Sequence, residues 1–475
     1  KGISLDLRPG EVLGLMGPSL SGKSTLCRVL AGVAPRATGG EMVGVIELGG
    51  RAVDIGYVAD NPAALMTRTR AIKEVESSLD HLGLTHSQSE KRALDTLAEL
   101  GIAEDEAQKY IWELPIHRQL LVALAAAVAE RPHLLILDEV GAVLDASGLA
   151  LLNKTISKIT GRGGAVLLVD NSAYRQRELS DRLAIMADGR LTAIGPIQAV
   201  LSEYSALPDR KSSAAAAGPV PGTPDDPFLT IHGLSFTYDE GPQVWEDLDL
   251  TLARGEVLGI AGRNAAGKTT LAKLLGGLIT PQSGEITFDG KPIEPGGDPK
   301  GIAVVMHTPS AFFSEPSVEA EIAFALRGTE ETGPSIDARV EELAEQFGIA
   351  PLLERDPSML PAGSARLAQI AAMLARDAPV LVLDEAALGM DPTERARLID
   401  AVRRYVARGG SVIALDHNLD LLAALANRIV LIDDKRLRDA GHPRRAFAED
   451  RWSNLEALDL SPPHREAYTI IGDAR

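Results

Sequence analysis

Short runs of Val, Ile and Leu recur along the chain, each followed by a longer stretch whose apolar positions have helical spacing. Val12–Met16 is one such run; it enters a glycine-rich stretch and is followed by a helical pattern over residues 23–31. Residues 134–137 and Ala165–Val169 are two more, with a helical stretch around 149–159 between them. Strands that are apolar at every position are buried on both faces, and strand–helix alternation joins such strands in parallel. The pattern therefore predicts an α/β fold: a mainly parallel sheet with flanking helices.

The same text occurs twice. Gly17-Pro-Ser-Leu-Ser-Gly22-Lys23-Ser24 returns as Gly262-Arg-Asn-Ala-Ala-Gly267-Lys268-Thr269, about 245 residues on. Leu134-Leu-Ile-Leu-Asp138-Glu139 returns as Val380-Leu-Val-Leu-Asp384-Glu385, and Asp145 returns as Asp391, in the same register. A register kept across most of a domain indicates duplication. The expected division is 1–205 for the first copy, 206–227 for a Pro/Ala-rich linker, 228–450 for the second copy and 451–475 for a C-terminal tail element. The linker lacks periodic apolar positions.

Composition narrows the field. The 475 residues are 45% hydrophobic and 24% charged, which excludes wholesale disorder. The formal net charge is −18, so nucleic acid is not expected as a partner. One cysteine, Cys27, excludes an intrachain disulfide and reads as a packed core thiol. Nine histidines lie without metal-ligand spacing. No apolar run has the length of a membrane helix, and no signal peptide opens the chain. Residue 1 is Lys and the first residues read as the middle of a domain, so a preceding segment is expected.

The spacing G-x-x-x-x-G-K-[ST], after an apolar strand and before a helix, defines a phosphate-binding loop (P-loop) in each copy. Backbone amides and the helix N-terminus would face a phosphate chain. The candidate nucleotide-binding residues are Gly17, Ser19, Ser21, Gly22, Lys23, Ser24 and Thr25 in the first copy. In the second they are Gly262, Asn264, Ala266, Gly267, Lys268, Thr269 and Thr270. Lys23 and Lys268 would reach the terminal phosphates, and Ser24 and Thr269 would turn a hydroxyl to Mg²⁺. Asp138 and Asp384 end buried strands and would hold Mg²⁺ directly or through water. Glu139 and Glu385, the neighbouring bases, would polarise an attacking water. ATP and Mg²⁺ are the expected cofactors.

On these residues the chain resembles tandem ATP-binding-cassette (ABC) ATPases over nearly its whole length. The resemblance implies two P-loop NTPase domains, each with a helical subdomain. It implies that Tyr238 stacks on adenine and that His417 is the switch histidine that contacts the γ-phosphate and orients the water. Gly389-Met390-Asp391 then matches the loop that crosses to the partner domain. It further implies head-to-tail closure of the two cassettes on ATP. More narrowly, Ile55-Gly-Tyr-Val58 with Asn61-Pro62, a helix between Thr85 and Gly101, and LEALDLSPP at 455–463 are similar to the energy-coupling-factor and cobalt-type importers. That likeness implies integral membrane partner subunits, a peripheral place on the cytoplasmic face of the membrane, and ATP hydrolysis driving import.

Several family positions are altered. The internal P-loop glycine is Leu20 and Ala265. The glutamine expected near Mg²⁺ is Asp60 and His307, and the switch histidine of the first copy is Asn171. The LSGGQ signature becomes Leu114-Pro-Ile-His-Arg118 and Leu360-Pro-Ala-Gly-Ser364. Pro115 and Pro361 are expected to remove an amide and a hydroxyl from an anion-facing helix start. His117 and Arg118 are either compensating cations or solvent-facing ones. Two further readings stay open: a degenerate pseudo-ATPase binding module, and a soluble tandem cassette of the translation-factor type.

Overall fold

In a computed structural model the chain divides into two compact units, Lys1–Lys211 and Ser212–Arg475. The structure describes residues 2–36, 39, 41–47, 54–59, 62, 65–205, 227–239, 241–293, 301–306, 313–327, 333–458 and 460. The linker expectation at 206–226, Asp60, Asn61, His307 and the tail from 461 onward lie outside the described residues.

The first unit is built on a six-stranded sheet of β1 (Val12–Met16), β2 (Ile55–Val58), β3 (Leu134–Asp138), β4 (Ala165–Val169), β5 (Arg182–Ala187) and β6 (Arg190–Pro196). The spatial order is β2-β3-β4-β1-β5-β6. All pairings are parallel except the β5–β6 hairpin at one edge. β1, β3 and β4 are buried at every residue, as their unbroken apolar runs require. Leu13, Leu15, Ile136, Leu167, Val169 and Cys27 form the core under the P-loop helix Lys23–Leu30. Helices Ala71–Ser78, His86–Glu99, Glu104–Ala107 and Ile116–Ala129 stand between β2 and β3 as the helical subdomain. The helix read between Thr85 and Gly101 is there, with Thr85 as N-cap in a capping box with Gln88.

The second unit repeats this sheet as β12-β13-β14-β9-β15-β16, where β9 is Val257–Ala261, β12 Ile302–Val305, β13 Val380–Asp384, β14 Ser411–Asp416, β15 Arg428–Asp433 and β16 Arg436–Gly441. It adds an antiparallel sheet, β11-β10-β7-β8, of β7 (Pro227–Thr237), β8 (Gln243–Ala253), β10 (Ser283–Phe288) and β11 (Lys291–Pro292). The apolar-run pattern did not announce this second sheet, because its strands bury one face and alternate. Trp245, Leu229, Leu250 and Leu271 pack between the two sheets. In the first unit the stretch matching β8 has the same alternation, Ile3, Leu5 and Leu7. It rests on the core without being paired into a strand. Leu455 and Leu460 of the tail are buried in the second unit's core with Phe447.

Candidate active site

Each P-loop leaves its strand, turns through a left-handed glycine and becomes a helix. Gly22 and Gly267 are the N-caps of Lys23–Leu30 and Lys268–Leu275, with φ of 98° and 102°. A glycine at that position brings the helix amides and the positive end of the dipole into the mouth of the loop. The lysines are almost fully buried and fold back over the loop. Lys23 Nζ donates to the carbonyls of Gly17 (2.9 Å) and Pro18 (3.1 Å), and Lys268 Nζ to those of Gly262 (2.8 Å) and Arg263 (2.9 Å). Each also faces the neighbouring glutamate, Lys23 with Glu139 at 3.6 Å and Lys268 with Glu385 at 3.2 Å.

The Mg²⁺ residues chosen from sequence meet in both units. Ser24 Oγ donates to Asp138 Oδ1 at 3.2 Å, and Thr269 Oγ1 to Asp384 Oδ2 at 2.7 Å. Asp138 and Asp384 have no solvent exposure. A hydroxyl and a carboxylate held together beside a phosphate loop are the hard oxygen donors that fit Mg²⁺. Glu139 and Glu385 follow in left-handed conformation, φ 56° and 49°, which turns them out of the strand direction toward the loop. Tyr238 lies against the second P-loop helix, its hydroxyl 3.2 Å from Thr270 Oγ1, while the residue stays 40% exposed. Thr270 therefore faces Tyr238. Ser21 is buried, Ser19, Asn264 and Ala266 are half-buried, and Thr25 is exposed.

The two switch positions differ. Asn171 bridges the first site: its Oδ1 accepts from the Gly17 amide (3.3 Å) and its Nδ2 donates to Glu139 Oε1 (3.1 Å). His417 turns Nδ1 toward Glu385 Oε1 (3.3 Å) and Asp416 Oδ1 (3.6 Å). Burial opposes a charged imidazole there, but Glu385 and Asp416 outweigh it and raise the His417 pKa. Burial likewise opposes ionisation of Glu385, yet Lys268 and His417 hold its carboxyl well below the usual range.

Sequence reasoning missed the acid just before each switch residue, Asp170 and Asp416. Both are buried. Asp170 is clamped by Arg175, through Nε at 2.6 Å and Nη2 at 2.8 Å. Tyr57, whose hydroxyl reaches Asp138 Oδ2 at 3.4 Å, was also passed over as a site residue. The spellings Val-Asp170-Asn and Leu-Asp416-His carried the signal for the acids, since a carboxylate ending an apolar strand is rarely idle.

The signature-position helices start one residue later than the loss of an amide had assumed. Pro115 and Pro361 are N-caps, and the helices run Ile116–Ala129 and Ala362–Ala375. Neither has a side-chain cap. What proline removes is the capping hydroxyl; the first-turn amides belong to the residues that follow it. Arg118 is engaged inside its own helical subdomain, donating to Gly101 O at 2.8 Å and facing Glu106 at 3.6 Å. Ser364 is turned back to Glu394 Oε1 at 2.8 Å.

The family described as ABC transporter matches residues 1–142 and 245–388. The chain belongs to that family, and its two α/β units have the ABC ATPase fold. It is 26% identical over 457 residues to a putative ABC transporter ATP-binding protein of Methanosarcina acetivorans, covering 92% of this chain and 86% of that one. It is 25% identical over 496 residues to the putative HMP/thiamine import ATP-binding protein YkoD of Bacillus subtilis, covering 94% and 89%. Among solved structures, RNase-L Inhibitor matches with a TM-score of 0.66 at 20% identity, covering 97% of this chain and 92% of that one. The archaeal ribosome recycling factor aABCE1 matches with a TM-score of 0.64, also at 20% identity, over 92% and 86%. Likeness at that identity shows the shared fold. Among the described residues no helix is long and apolar enough to cross a membrane.

Proposed function

We propose that this chain is the ATP-binding and ATP-hydrolysing energy unit of an ABC importer related to the energy-coupling-factor type. It would sit peripherally on the cytoplasmic face of a membrane and act on integral membrane subunits, with its two cassettes closing on each other around ATP. The observation that carries the reading is the pairing, in both units, of the P-loop hydroxyl with the strand-end aspartate beside a buried lysine and a glutamate. Ser24 with Asp138, and Thr269 with Asp384, would hold Mg²⁺, which supplies charge neutralisation to the phosphates. Lys23 and Lys268 would exchange their loop carbonyls for phosphate oxygens. In the second unit Glu385, kept ionised, would accept a proton from water, and His417 would donate a hydrogen bond from Nε2. The transport relatives' names and the sequence stretches shared with that importer type support the assignment.

The experiment is calorimetry with MgATP on the full chain and on the Lys23→Ala, Lys268→Ala double variant, followed by identification of proteins co-purifying from detergent-solubilised membranes. Unchanged ATP binding in the double variant overturns the nucleotide sites. Recovery with ribosomes, and without membrane protein, overturns the transport reading. A narrower second reading is favoured by Asn171: the first site binds ATP and holds it, and turnover belongs to the second.

A further inference from the structure

The strand-end aspartates are alike in the two units, but the strands beside them are not. β2 pairs with β3 so that Tyr57 lies opposite Ile136, and β12 pairs with β13 so that Val304 lies opposite Val382. Ile136 and Val382 each stand two residues before the strand-end aspartate. Tyr57 and Val304 therefore hold the same place in the sheet. Both pack on the side of the P-loop helix: Tyr57 against the core that holds Cys27 of Lys23–Leu30, Val304 against the core that holds Leu271 and Leu275 of Lys268–Leu275. A valine ends there. A tyrosine goes on, and its hydroxyl reaches Asp138.

Asp138 is thereby held from two sides. Ser24 donates to its Oδ1 at 3.2 Å and Tyr57 to its Oδ2 at 3.4 Å. In the second unit Thr269 meets Asp384 Oδ2 at 2.7 Å. The longer pair in the first unit fits one carboxylate shared between two hydroxyl donors, since neither can close without drawing it from the other. Asp138 has no solvent exposure, and a buried carboxylate is stabilised by each donor it accepts. It can turn to a metal ion, or to metal-bound water, only by loosening that donation. At Asp384 no phenol has to yield, because Val304 brings no hydroxyl.

We propose that Tyr57 is a positioning residue of the first site, one that sets how strongly nucleotide binding there depends on Mg²⁺. By holding Asp138 Oδ2 the phenol competes with the metal for the carboxylate. The first site therefore takes up ATP with a smaller contribution from Mg²⁺ than the second. The inference rests on the two sites binding ATP as proposed above. A site that needs its metal less for affinity suits holding ATP, whereas phosphoryl transfer draws on the metal's charge.

The test measures ATP affinity by calorimetry on the full chain, with Mg²⁺ and with EDTA, and takes the ratio of the two. Lys268→Ala isolates the first site and Lys23→Ala the second. In the Lys268→Ala background, Tyr57→Phe should raise the ratio roughly 3- to 10-fold, the scale of one net intramolecular hydrogen bond. In the Lys23→Ala background, Val304→Tyr should lower it by a similar factor. A merely structural role would change binding with and without metal alike and leave the ratio where it was. Asp138→Asn supplies the control: with no carboxylate to contest, Tyr57→Phe should no longer move the ratio. Three results overturn the proposal: a ratio that Tyr57→Phe leaves unchanged, one that it lowers, or a rise just as large in the Asp138→Asn background. If Val304→Tyr fails to fold, Tyr57→Phe with and without Asp138→Asn decides. If the Lys268→Ala chain binds ATP under neither condition, the nucleotide reading of the first site fails and the role of Tyr57 with it. ATP binding with an unmoved ratio overturns the role of Tyr57 alone.

Discussion

The first unit closes its switch position with an amide, the second with an imidazole. Asn171 spans from the Gly17 amide to Glu139 and bonds both without carrying a charge of its own. His417 lies between two carboxylates and is drawn toward its charged form. The P-loop lysine, hydroxyl and aspartate are the same in both. The proposed tasks of holding phosphate and moving a proton thus fall on different residues, and at the switch position the two copies differ in those assigned to the second task.

The largest expected effect tests that separation directly. Glu385→Gln should lower phosphate release by about 10²–10³-fold, the scale for removing one preorganised group, while Glu139→Gln should leave it nearly unchanged. The opposite ranking, in steady-state phosphate assays of the two single variants, would break the comparison. Next is binding, where the units should behave alike. Lys23→Ala and Lys268→Ala should each weaken MgATP at their own site by roughly 10- to 100-fold, the worth of a charge-assisted contact of ~1.5–3 kcal/mol. Calorimetry resolving two sites reads both.

A smaller effect sharpens the contrast. Asn171→His should raise turnover at the first site only a few-fold, because Asp170 is already committed to Arg175 and only Glu139 remains to charge the new imidazole. Single-turnover assays in a Glu385→Gln background isolate that site. The pH dependence follows from the raised His417 pKa. A histidine whose folded pKa is raised contributes stability that is complete below its ordinary value near 6.5 and fades as pH climbs through the folded value. The second unit's melting temperature should fall as pH rises above about 6.5, and His417→Asn should flatten that slope. The smallest effect concerns Leu20 and Ala265, which hold φ of 65° and 62° in the P-loops. Leu20→Gly and Ala265→Gly relieve left-handed strain but cost chain entropy, so melting should shift by no more than the equivalent of about 1 kcal/mol.

Much of this was legible in the sequence because it depends on spacing along one segment. The P-loop needs one strand, one loop and one helix start, and the strand-end acids declare themselves at the end of an apolar run. Residues that act across segments were less legible. Arg118 drew notice as a cation at a signature position, yet it is spent on Gly101 and Glu106. Arg366, on the matching helix, passed unnoticed because nothing local distinguishes a buried arginine from an exposed one. Ile3, Leu5 and Leu7 show the same limit: their alternation is that of β8, but a strand exists only where a neighbour accepts its hydrogen bonds.

The carbonyls held by Lys23 and Lys268 carry one more consequence. Each lysine ties its own loop together through two backbone carbonyls, so under the proposed function it would brace the loop as well as contact phosphate. On that proposal binding would swap one set of acceptors for another, and association should be fast with a small entropy cost. An alanine in place of the lysine removes the scaffold along with the contact. The affinity such a variant loses is a sum of two quantities, and a stiffer loop made by other means should restore only one of them.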